Sequence, residues 1–151
     1  MIPFNRLYNL VPPRTPEVHQ LNGNKEAAYR CRVLVVDDNP FFLRCLKDLI
    51  DREPDMMVCG VATSSTELFK AIKSAKPDMI VLDIMLGMES GLMIGETLRR
   101  QGVTVPVLFI SALATPNRKL LQQIGRCAFS RKDVLKARQL RNVRNDFPNG
   151  N

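Results

Sequence analysis

The sequence predicts an α/β protein in which five parallel strands form one sheet with helices on both faces. Short apolar runs alternate five times with amphipathic segments, the order of repeated strand–helix units. Repeats of this kind indicate a parallel sheet that is covered on both sides. A length of 151 residues fits one domain with a proper core and leaves little room for a second.

The predicted elements follow one another closely along the chain. Strands are expected at residues 32–37, 56–62, 79–83, 106–111 and around 128–130. Helices are expected at residues 40–52, 65–74, 92–100, 116–124 and 134–144.

Capping residues support the predicted helix starts. Asn39 and Thr115 each precede a proline that would occupy the first helical position. Ser64 and Glu67 have the spacing of a capping box. These signals predict that the first, second and fourth helices begin near residues 40, 65 and 116.

The domain is expected to occupy residues 31–145. Residues 1–30 contain four prolines among polar residues without sustained periodicity, which predicts a flexible leader. Residues 146–151 are expected to form a disordered tail.

Composition argues against several classes of function. No apolar run approaches the roughly 20 residues that span a bilayer, and no secretion signal is present, so a cytoplasmic protein is expected. His19 is the only histidine, which disfavours histidine catalysis and a multi-histidine zinc site. Scattered cysteines without a CxxC pair favour small buried residues over redox or metal ligands: Cys31, Cys45, Cys59 and Cys127.

The formal net charge of +7 leaves two interpretations open. Much of the excess lies toward the carboxyl end, where it could attract nucleic acid or acidic partners or could form a solvated basic helix face. No aromatic residues interleave with these charges as a stacking surface requires. Direct binding to nucleic acid is therefore not expected unless an output domain is attached.

Polar residues stand where the predicted strands end. The first strand ends in Asp37 and Asp38, the third ends in Asp83, the fourth ends in Ser111, and Lys132 follows the fifth. Ligands of open parallel sheets bind beyond the carboxyl ends of the strands. Each residue alone is more typical of a helix cap or a turn, but the set of five at one edge indicates a site.

The residue types in this set suit magnesium-assisted phosphoryl transfer. Three clustered carboxylates repel one another unless a hard cation is present, and Mg²⁺ prefers carboxylate oxygens while keeping several waters. A carboxylate can attack a phosphoryl group while a metal, an ammonium and a hydroxyl stabilise the transferring oxygens. We therefore predict Mg²⁺ as the cofactor.

Four motifs carry these residues: VVDDNP from Val35, VLDIML from Val81 with GLM from Gly91, FISA from Phe109, and AFSRK from Ala128. Together they resemble the response-regulator receiver family of two-component signalling, over about residues 32–144. The resemblance implies a CheY-like, (βα)5 flavodoxin-like fold with strand order 2-1-3-4-5. Residues 37–50 and 60–72 look most similar to receivers of regulators with helix-turn-helix DNA-binding output domains.

The resemblance also implies a role for each acidic residue. Asp83 would accept the phosphoryl group. Asp38 and Asp83 would bind Mg²⁺ directly, together with the main-chain carbonyl of Met85, and Asp37 would act largely through bound water.

Three further residues would complete the site and its switch. The resemblance implies that Ser111 hydrogen-bonds the phosphoryl group, that Lys132 pairs with it, and that Ser111 and Phe129 move after phosphorylation. Their movement would remodel the face formed by the fourth helix, the fifth strand and the fifth helix. That face would bind a downstream protein target and is a candidate homodimer interface.

Such a domain would receive its phosphoryl group from a histidine kinase or a histidine phosphotransfer protein. It would not be an enzyme toward other molecules, because it would catalyse only its own phosphorylation and slow dephosphorylation. Gly87 departs from the proline that the family usually has after the phosphorylation loop, which is expected to loosen the loop and alter the phosphate lifetime.

The sequence favours some functions for this site over others. A stand-alone receiver leads, and a receiver fragment of a DNA-binding transcriptional regulator is its main variant, because only nineteen residues follow Lys132. A phosphorylation-independent scaffold stays open. An aspartyl-nucleophile phosphatase is disfavoured because Asn39, not an acid, stands two residues after Asp37. A nucleotide-binding domain is disfavoured because no glycine-rich turn follows the first strand.

Overall fold

The computed structural model describes residues 28–113 and 115–149. In chain order the elements are β1 (Cys31–Val36), α1 (Pro40–Asp51), β2 (Met56–Ala62), α2 (Ser65–Ala75), β3 (Met79–Asp83), β4 (Met85–Leu86), β5 (Glu89–Ser90), α3 (Gly91–Arg100), β6 (Val107–Ser111), α4 (Arg118–Ile124), β7 (Cys127–Arg131) and α5 (Ala137–Asp146). A 3₁₀ turn at Lys132–Val134 precedes α5.

Five parallel strands form the main sheet in the order β2-β1-β3-β6-β7. Since β6 and β7 are its fourth and fifth strands, the predicted order 2-1-3-4-5 and the predicted fold class are confirmed. No helix in the described part of the chain is long and apolar enough to cross a bilayer.

The sheet separates two apolar cores because successive side chains of a strand point to opposite faces. On β1, Val33 and Val35 face one core, while Leu34 and Val36 face the other. The first core is closed by α1 and α5, and the second is closed by α2, α3 and α4. The central strands are therefore buried on both faces, as their continuous apolar runs predict.

Two of the predicted helix caps are present and one is wrong. The side chain of Asn39 accepts hydrogen bonds from two amides of α1, and Ser64 accepts one from the amide of Glu67. For α4 the cap is Asn117 rather than Thr115, because the Asn117 side chain accepts from the Lys119 amide at 2.8 Å. The helix consequently begins at residue 118 instead of 116.

The last helix also begins later than predicted. Residue 134 belongs to the 3₁₀ turn, and Leu135 has an extended backbone that separates this turn from α5. The helix is capped at Lys136, whose amide donates to the side chain of Gln139 at 2.9 Å. These local bonds shift its start from residue 134 to Ala137.

A short hairpin between β3 and α3 was not predicted. Strands β4 and β5 pair in antiparallel fashion around Gly87, which has a φ of +60°. Proline is locked near −65° and cannot adopt this angle. The hairpin therefore accounts for glycine at the position where the family usually has proline.

The predicted disordered tail is wrong for residues 146–149. Asp146 is the last residue of α5, and Phe147 packs against the core beneath α1 and α5. The Arg126 side chain donates to the carbonyls of Phe147 and Pro148, and the Asn149 side chain donates to Asp78. Residues 150 and 151, like residues 1–27 of the predicted leader, lie outside the described residues.

The cysteines follow the sequence interpretation at two of four positions. Cys31 and Cys59 are buried, and burial raises the pKa of the Cys31 thiol to about 11 and that of Cys59 to about 12. Cys127 is half-buried. Cys45 is exposed on α1 and does not fit the reading as a small core residue.

An ion-pair network ties α5 to the segment that enters β2, and it predicts a pH-dependent stability. Arg141 donates to the two carboxylate oxygens of Asp55 at 3.1 and 2.9 Å and also to Glu53, while Arg144 lies 3.1 Å from Asp55. Hydrogen bonding from Arg141 is the main cause that lowers the Asp55 pKa to about 2. The network therefore stabilises the fold above the ordinary Asp pKa near 4 and loses its effect as the pH falls toward 2.

Replacing Arg141 with alanine is expected to lower the free energy of unfolding at neutral pH, with a smaller loss as Asp55 becomes protonated. Urea unfolding at neutral pH and near pH 3 measures both values. Arg138→Ala is the matched control, because Arg138 lies exposed on the same helix and has no carboxylate partner within the described ranges. Equal losses in the two variants would contradict the role given to the network.

Candidate functional site

Three carboxylates meet beyond the carboxyl ends of β1 and β3. Asp37 and Asp38 directly follow β1, and Asp83 is the last residue of the neighbouring β3. One oxygen from each lies within 4.8 Å of the others. Asp37 and Asp83 are buried, whereas Asp38 is exposed, so the cluster opens to solvent on one side.

Lys132 reaches this cluster from the turn after β7. Its ammonium lies 2.6 Å from Asp37 Oδ2 and 3.0 Å from Asp83 Oδ2. The same nitrogen stands 4.4 Å from the centroid of the Phe42 ring on α1, at a distance that allows a cation–π contact. A single ammonium is thus held by two carboxylates and an aromatic ring.

Burial and hydrogen bonding act in opposite directions on the pKa values of Asp37 and Lys132. Burial raises the pKa of the Asp37 carboxyl, against the lowering effect of bonds from Lys132 and from the Asn39 amide. Burial disfavours the charge of Lys132 as well, but bonding to Asp37 and Asp83 outweighs it and raises the Lys132 pKa. Asp37 and Lys132 are both largely buried, so removing either one would leave the charge of the other without its nearest partner.

The donor set fits a divalent cation that prefers oxygen. Three carboxylates against one ammonium leave a formal excess of two negative charges. Asp37 Oδ2 is buried and lies 2.6 Å from the Lys132 ammonium. Mg²⁺, with its preference for a few carboxylates and several waters, matches such a cluster at a solvent-facing edge.

The backbone around Asp83 is held in place by neighbouring groups. Asp83 Oδ1 accepts a hydrogen bond from the Met85 amide at 3.0 Å. The Gly91 amide donates to the carbonyl of Ile84 at 2.7 Å, which draws the start of α3 against the end of β3. A Cβ at Gly91 would lie only 2.1 Å from the carbonyl oxygen of Asp83, so no larger residue fits there.

Glu89 anchors the hairpin after Asp83 to the beginning of α2. Its carboxylate accepts from the Ser65 amide at 2.9 Å and from the Ser65 hydroxyl at 2.7 Å. A negative charge at a helix amino terminus is favourable because of the helix dipole. The hairpin that supplies the Met85 amide to Asp83 is therefore fixed at its far end as well.

The two expected switch residues lie on β6 and β7. Ser111 ends β6 one position beyond Ile110, the residue that pairs with Asp83, and it is buried. Its hydroxyl accepts from the Leu113 amide at 3.2 Å. Phe129 lies half-buried on β7, packed against the core beneath α2, α3 and α4 rather than at the carboxylates.

Comparison with known proteins identifies the family. The family described as "Response regulator receiver domain" matches residues 33–142, which is well over half of the chain. The chain belongs to this family. It is thus a receiver domain of two-component signalling, as the sequence motifs indicate.

This receiver is similar to one part of longer proteins that are named as enzymes. The chain is 37% identical over 84 residues to a protein-glutamate methylesterase/protein-glutamine glutaminase of Pyrococcus abyssi, covering 56% of the chain and 23% of that protein. It is 31% identical over 114 residues to one from Methanospirillum hungatei, covering 75% of the chain and 33% of that protein. The receiver therefore spans about a quarter to a third of these relatives.

Solved receiver structures match over most of their length. The signal receiver domain of the putative regulator NarL from Mycobacterium tuberculosis has a TM-score of 0.69 and 25% identity, covering 81% of this chain and 99% of that one. The response regulator domain of Thermotoga maritima CheB has a TM-score of 0.65 and 27% identity, with the same coverage. Both support the fold of this receiver.

Sequence reasoning missed three contributors to the site. Phe42 was placed on a helix without a partner, but its ring lies beneath Lys132. Glu89 belongs to a hairpin whose strands are too short for a periodic signal. Gly91 is part of a sequence motif, but nothing in the sequence pattern shows that the carbonyl of Asp83 lies against it.

Proposed function

We propose that this receiver accepts a phosphoryl group on Asp83 in a Mg²⁺-dependent reaction and signals through a change of its surface. The observation that carries the proposal is the carboxylate of Asp83 standing 3.0 Å from Lys132 within a cluster of three acids. A nucleophile, a cation and an acidic metal site at one sheet edge are the parts that phosphoryl transfer needs.

The proposed donor is a histidine kinase or a histidine phosphotransfer protein. An oxygen of Asp83 forms a bond to phosphorus while the bond from phosphorus to the donor histidine nitrogen breaks, and that nitrogen keeps the electron pair. The product is an acyl phosphate on Asp83, which water later hydrolyses. The reaction with itself is the only chemistry proposed for these residues.

Residues of the site have distinct proposed roles. Asp38 and Asp83, with the main-chain carbonyl of Met85, would hold Mg²⁺, and Asp37 would contact it largely through water. Bound Mg²⁺ would supply positive charge next to the transferring oxygens. Lys132 would pair with the phosphoryl group once its present partner Asp83 has reacted.

The conformational signal is proposed to begin at Ser111. Its hydroxyl, which now accepts from the Leu113 amide, would turn to donate to the new phosphoryl group. Phe129 would follow on the neighbouring strand, because Ser111 and Phe129 lie on paired strands β6 and β7. The surface of α4, β7 and α5 would then change, and we place this event in the cytoplasm.

A larger regulator is the second proposal. The curated relatives are matched over only a quarter to a third of their length, so receivers of this kind occur within longer proteins. Reading the full open reading frame and measuring the mass of its protein product in the source cell would test whether the receiver is part of a larger regulator. If Asp83 cannot be labelled, the result would support a phosphorylation-independent scaffold instead.

Asp38→Ala is expected to reduce labelling from acetyl phosphate by roughly 100-fold and to remove the Mg²⁺ response of what remains. Asp38 is the exposed member of the cluster and would lose a metal-binding oxygen without opening a cavity in the core. The rate of adduct formation, measured across a Mg²⁺ titration, reports both effects.

Asp48→Ala serves as the control for this variant. Asp48 is also exposed and acidic, but it lies on α1 and outside the carboxylate cluster. Its labelling rate and Mg²⁺ dependence should match those of the unaltered protein. An Asp38→Ala protein that labels at the ordinary rate with an unchanged Mg²⁺ response would refute the metal site.

A further inference from the structure

The Lys132 ammonium has two carboxylate partners and one aromatic partner. It lies 2.6 Å from Asp37 Oδ2, 3.0 Å from Asp83 Oδ2 and 4.4 Å from the centroid of the Phe42 ring. The negative face of an aromatic ring attracts an ammonium at this distance, and the attraction is stronger where water is excluded. Because the Lys132 side chain is only 14% exposed, water screens its contact with the ring weakly.

The two carboxylates would both change during the proposed reaction, whereas the ring would not. Asp83 would become an acyl phosphate and lose its charge, and Asp37 would contact Mg²⁺ through water. Phe42 neither binds the metal nor reacts. Among the contacts of Lys132 within residues 28–113 and 115–149, the one with Phe42 is therefore independent of both events.

The backbone of Phe42 is tied to the carboxylate cluster. The Asn39 amide donates to Asp37 Oδ1 at 2.8 Å, and the Asn39 side chain accepts from the Phe42 amide at 3.2 Å. Two hydrogen bonds thus connect Asp37 to the first turn of α1. The Phe42 side chain packs against the core beneath α1 and α5. The ring consequently has a fixed position relative to the site.

Packing of α1 alone does not call for an aromatic residue at position 42. The fully buried residues of this helix are aliphatic: Leu43, Leu46 and Ile50. Phe42 is half-buried and lies where the core meets the carboxylate cluster. A leucine would supply apolar bulk there, but only a ring supplies a negative face toward Lys132.

We propose that Phe42 is a positioning residue for phosphoryl transfer. Its ring holds the Lys132 ammonium at the cluster while that ammonium exchanges Asp83 for the phosphoryl group. A positive charge that is already in place stabilises the transferring oxygens without having to be ordered during the reaction. The inference rests on the proposed function, and the bonds that form and break are those of the proposed reaction, in which Phe42 takes no part.

The test replaces Phe42 with phenylalanine analogues that carry one, two or three ring fluorines, introduced into the full chain by stop-codon suppression. Fluorine withdraws electrons from the ring face and changes its size little. The rate of labelling by acetyl phosphate with Mg²⁺, followed by intact-protein mass, is expected to fall stepwise with each fluorine. With three fluorines the loss should reach about fivefold, as for removal of one cation–π contact.

Two ordinary substitutions separate the ring from its bulk. Phe42→Leu keeps an apolar side chain and is expected to label about fivefold more slowly, whereas Phe42→Tyr keeps the ring and should stay within about twofold of the unaltered protein. Phe41→Leu is the matched control, because Phe41 is the adjacent residue and is 71% exposed. Its labelling rate should also change less than about twofold.

A double-mutant cycle measures the contact without phosphorylation. Phe42→Leu and Lys132→Met are compared singly and together by urea unfolding in the presence of a chelator. The double variant is expected to depart from the product of the single effects by about threefold or more in the unfolding equilibrium constant. Independent effects of the two substitutions would show that the ring does not hold the ammonium.

The remaining outcomes distinguish this inference from the proposed function. Equal labelling rates along the fluorine series, or a Phe42→Tyr protein as slow as Phe42→Leu, would overturn the role of Phe42 alone if the unaltered protein is labelled normally. No adduct on the unaltered protein would overturn the proposed function and this role together.

Discussion

Replacing Gly91 with alanine is expected to lower the free energy of unfolding by about 3 kcal/mol and to impair labelling of Asp83. The added Cβ would lie 2.1 Å from the carbonyl oxygen of Asp83 and 2.9 Å from the Cα of Ile84. Both are backbone atoms, which cannot relieve the clash by rotating as a side chain can. The start of α3 must therefore move away from β3, which strains the bond from the Gly91 amide to Ile84 and displaces Asp83, the proposed phosphoacceptor.

Gly102→Ala provides the comparison for this variant. Gly102 has a φ of +77°, and a Cβ there would meet nothing within 4 Å, so only backbone strain of about 1 kcal/mol is expected. Urea unfolding and the rate of labelling should be measured for both proteins. If Gly91→Ala were no more destabilising than Gly102→Ala, close packing of α3 against Asp83 could not be what positions the acceptor.

Most of the fold follows from local patterns in the sequence. Central strands such as residues 79–83 are continuous apolar runs, which only a sheet covered on both faces can bury. Errors arose where two capping signals compete within a few residues, as at Thr115 and Asn117. Both residue types cap helices well, so their presence alone does not decide where the helix begins; in the structure the Asn117 side chain accepts from the Lys119 amide.

The tail and the hairpin depend on contacts between distant residues. Phe147 is ordered by packing against the core, and the hairpin after Asp83 is held by Glu89 bonding to Ser65, twenty-four residues earlier. A polar carboxyl end ordinarily predicts disorder, and two-residue strands have no detectable period. Such features need three-dimensional information.

The candidate site, like the fold, is predicted by the sequence only in part. The strand-end rule predicts that Asp37 and Asp83 meet, because parallel neighbours end at the same edge. It does not predict that Phe42 lies beneath Lys132, since that contact joins α1 to the turn after β7. The positive carboxyl end is visible in the sequence, but which cations lack partners emerges only from the ion pairs of the structure.

Asp83→Asn is expected to abolish phosphoryl transfer to the chain while the fold is kept. The amide has the same shape, and its oxygen can still accept from the Met85 amide. It has no nucleophilic carboxylate, so the acyl phosphate cannot form. Removing one acid also relieves repulsion among the three carboxylates, so the variant should unfold at a higher temperature than the unaltered protein in the presence of a chelator.

The measurement that tests phosphoacceptor function most directly is intact-protein mass after incubation with acetyl phosphate and Mg²⁺, with Asp83→Asn alongside. A single phosphoryl adduct that requires both Mg²⁺ and Asp83 is the predicted result. Two results would contradict the assignment of Asp83 as the acceptor. One is an Asp83→Asn protein that is labelled to the same extent as the unaltered protein, and the other is an unaltered protein that carries no adduct even with a histidine kinase supplied.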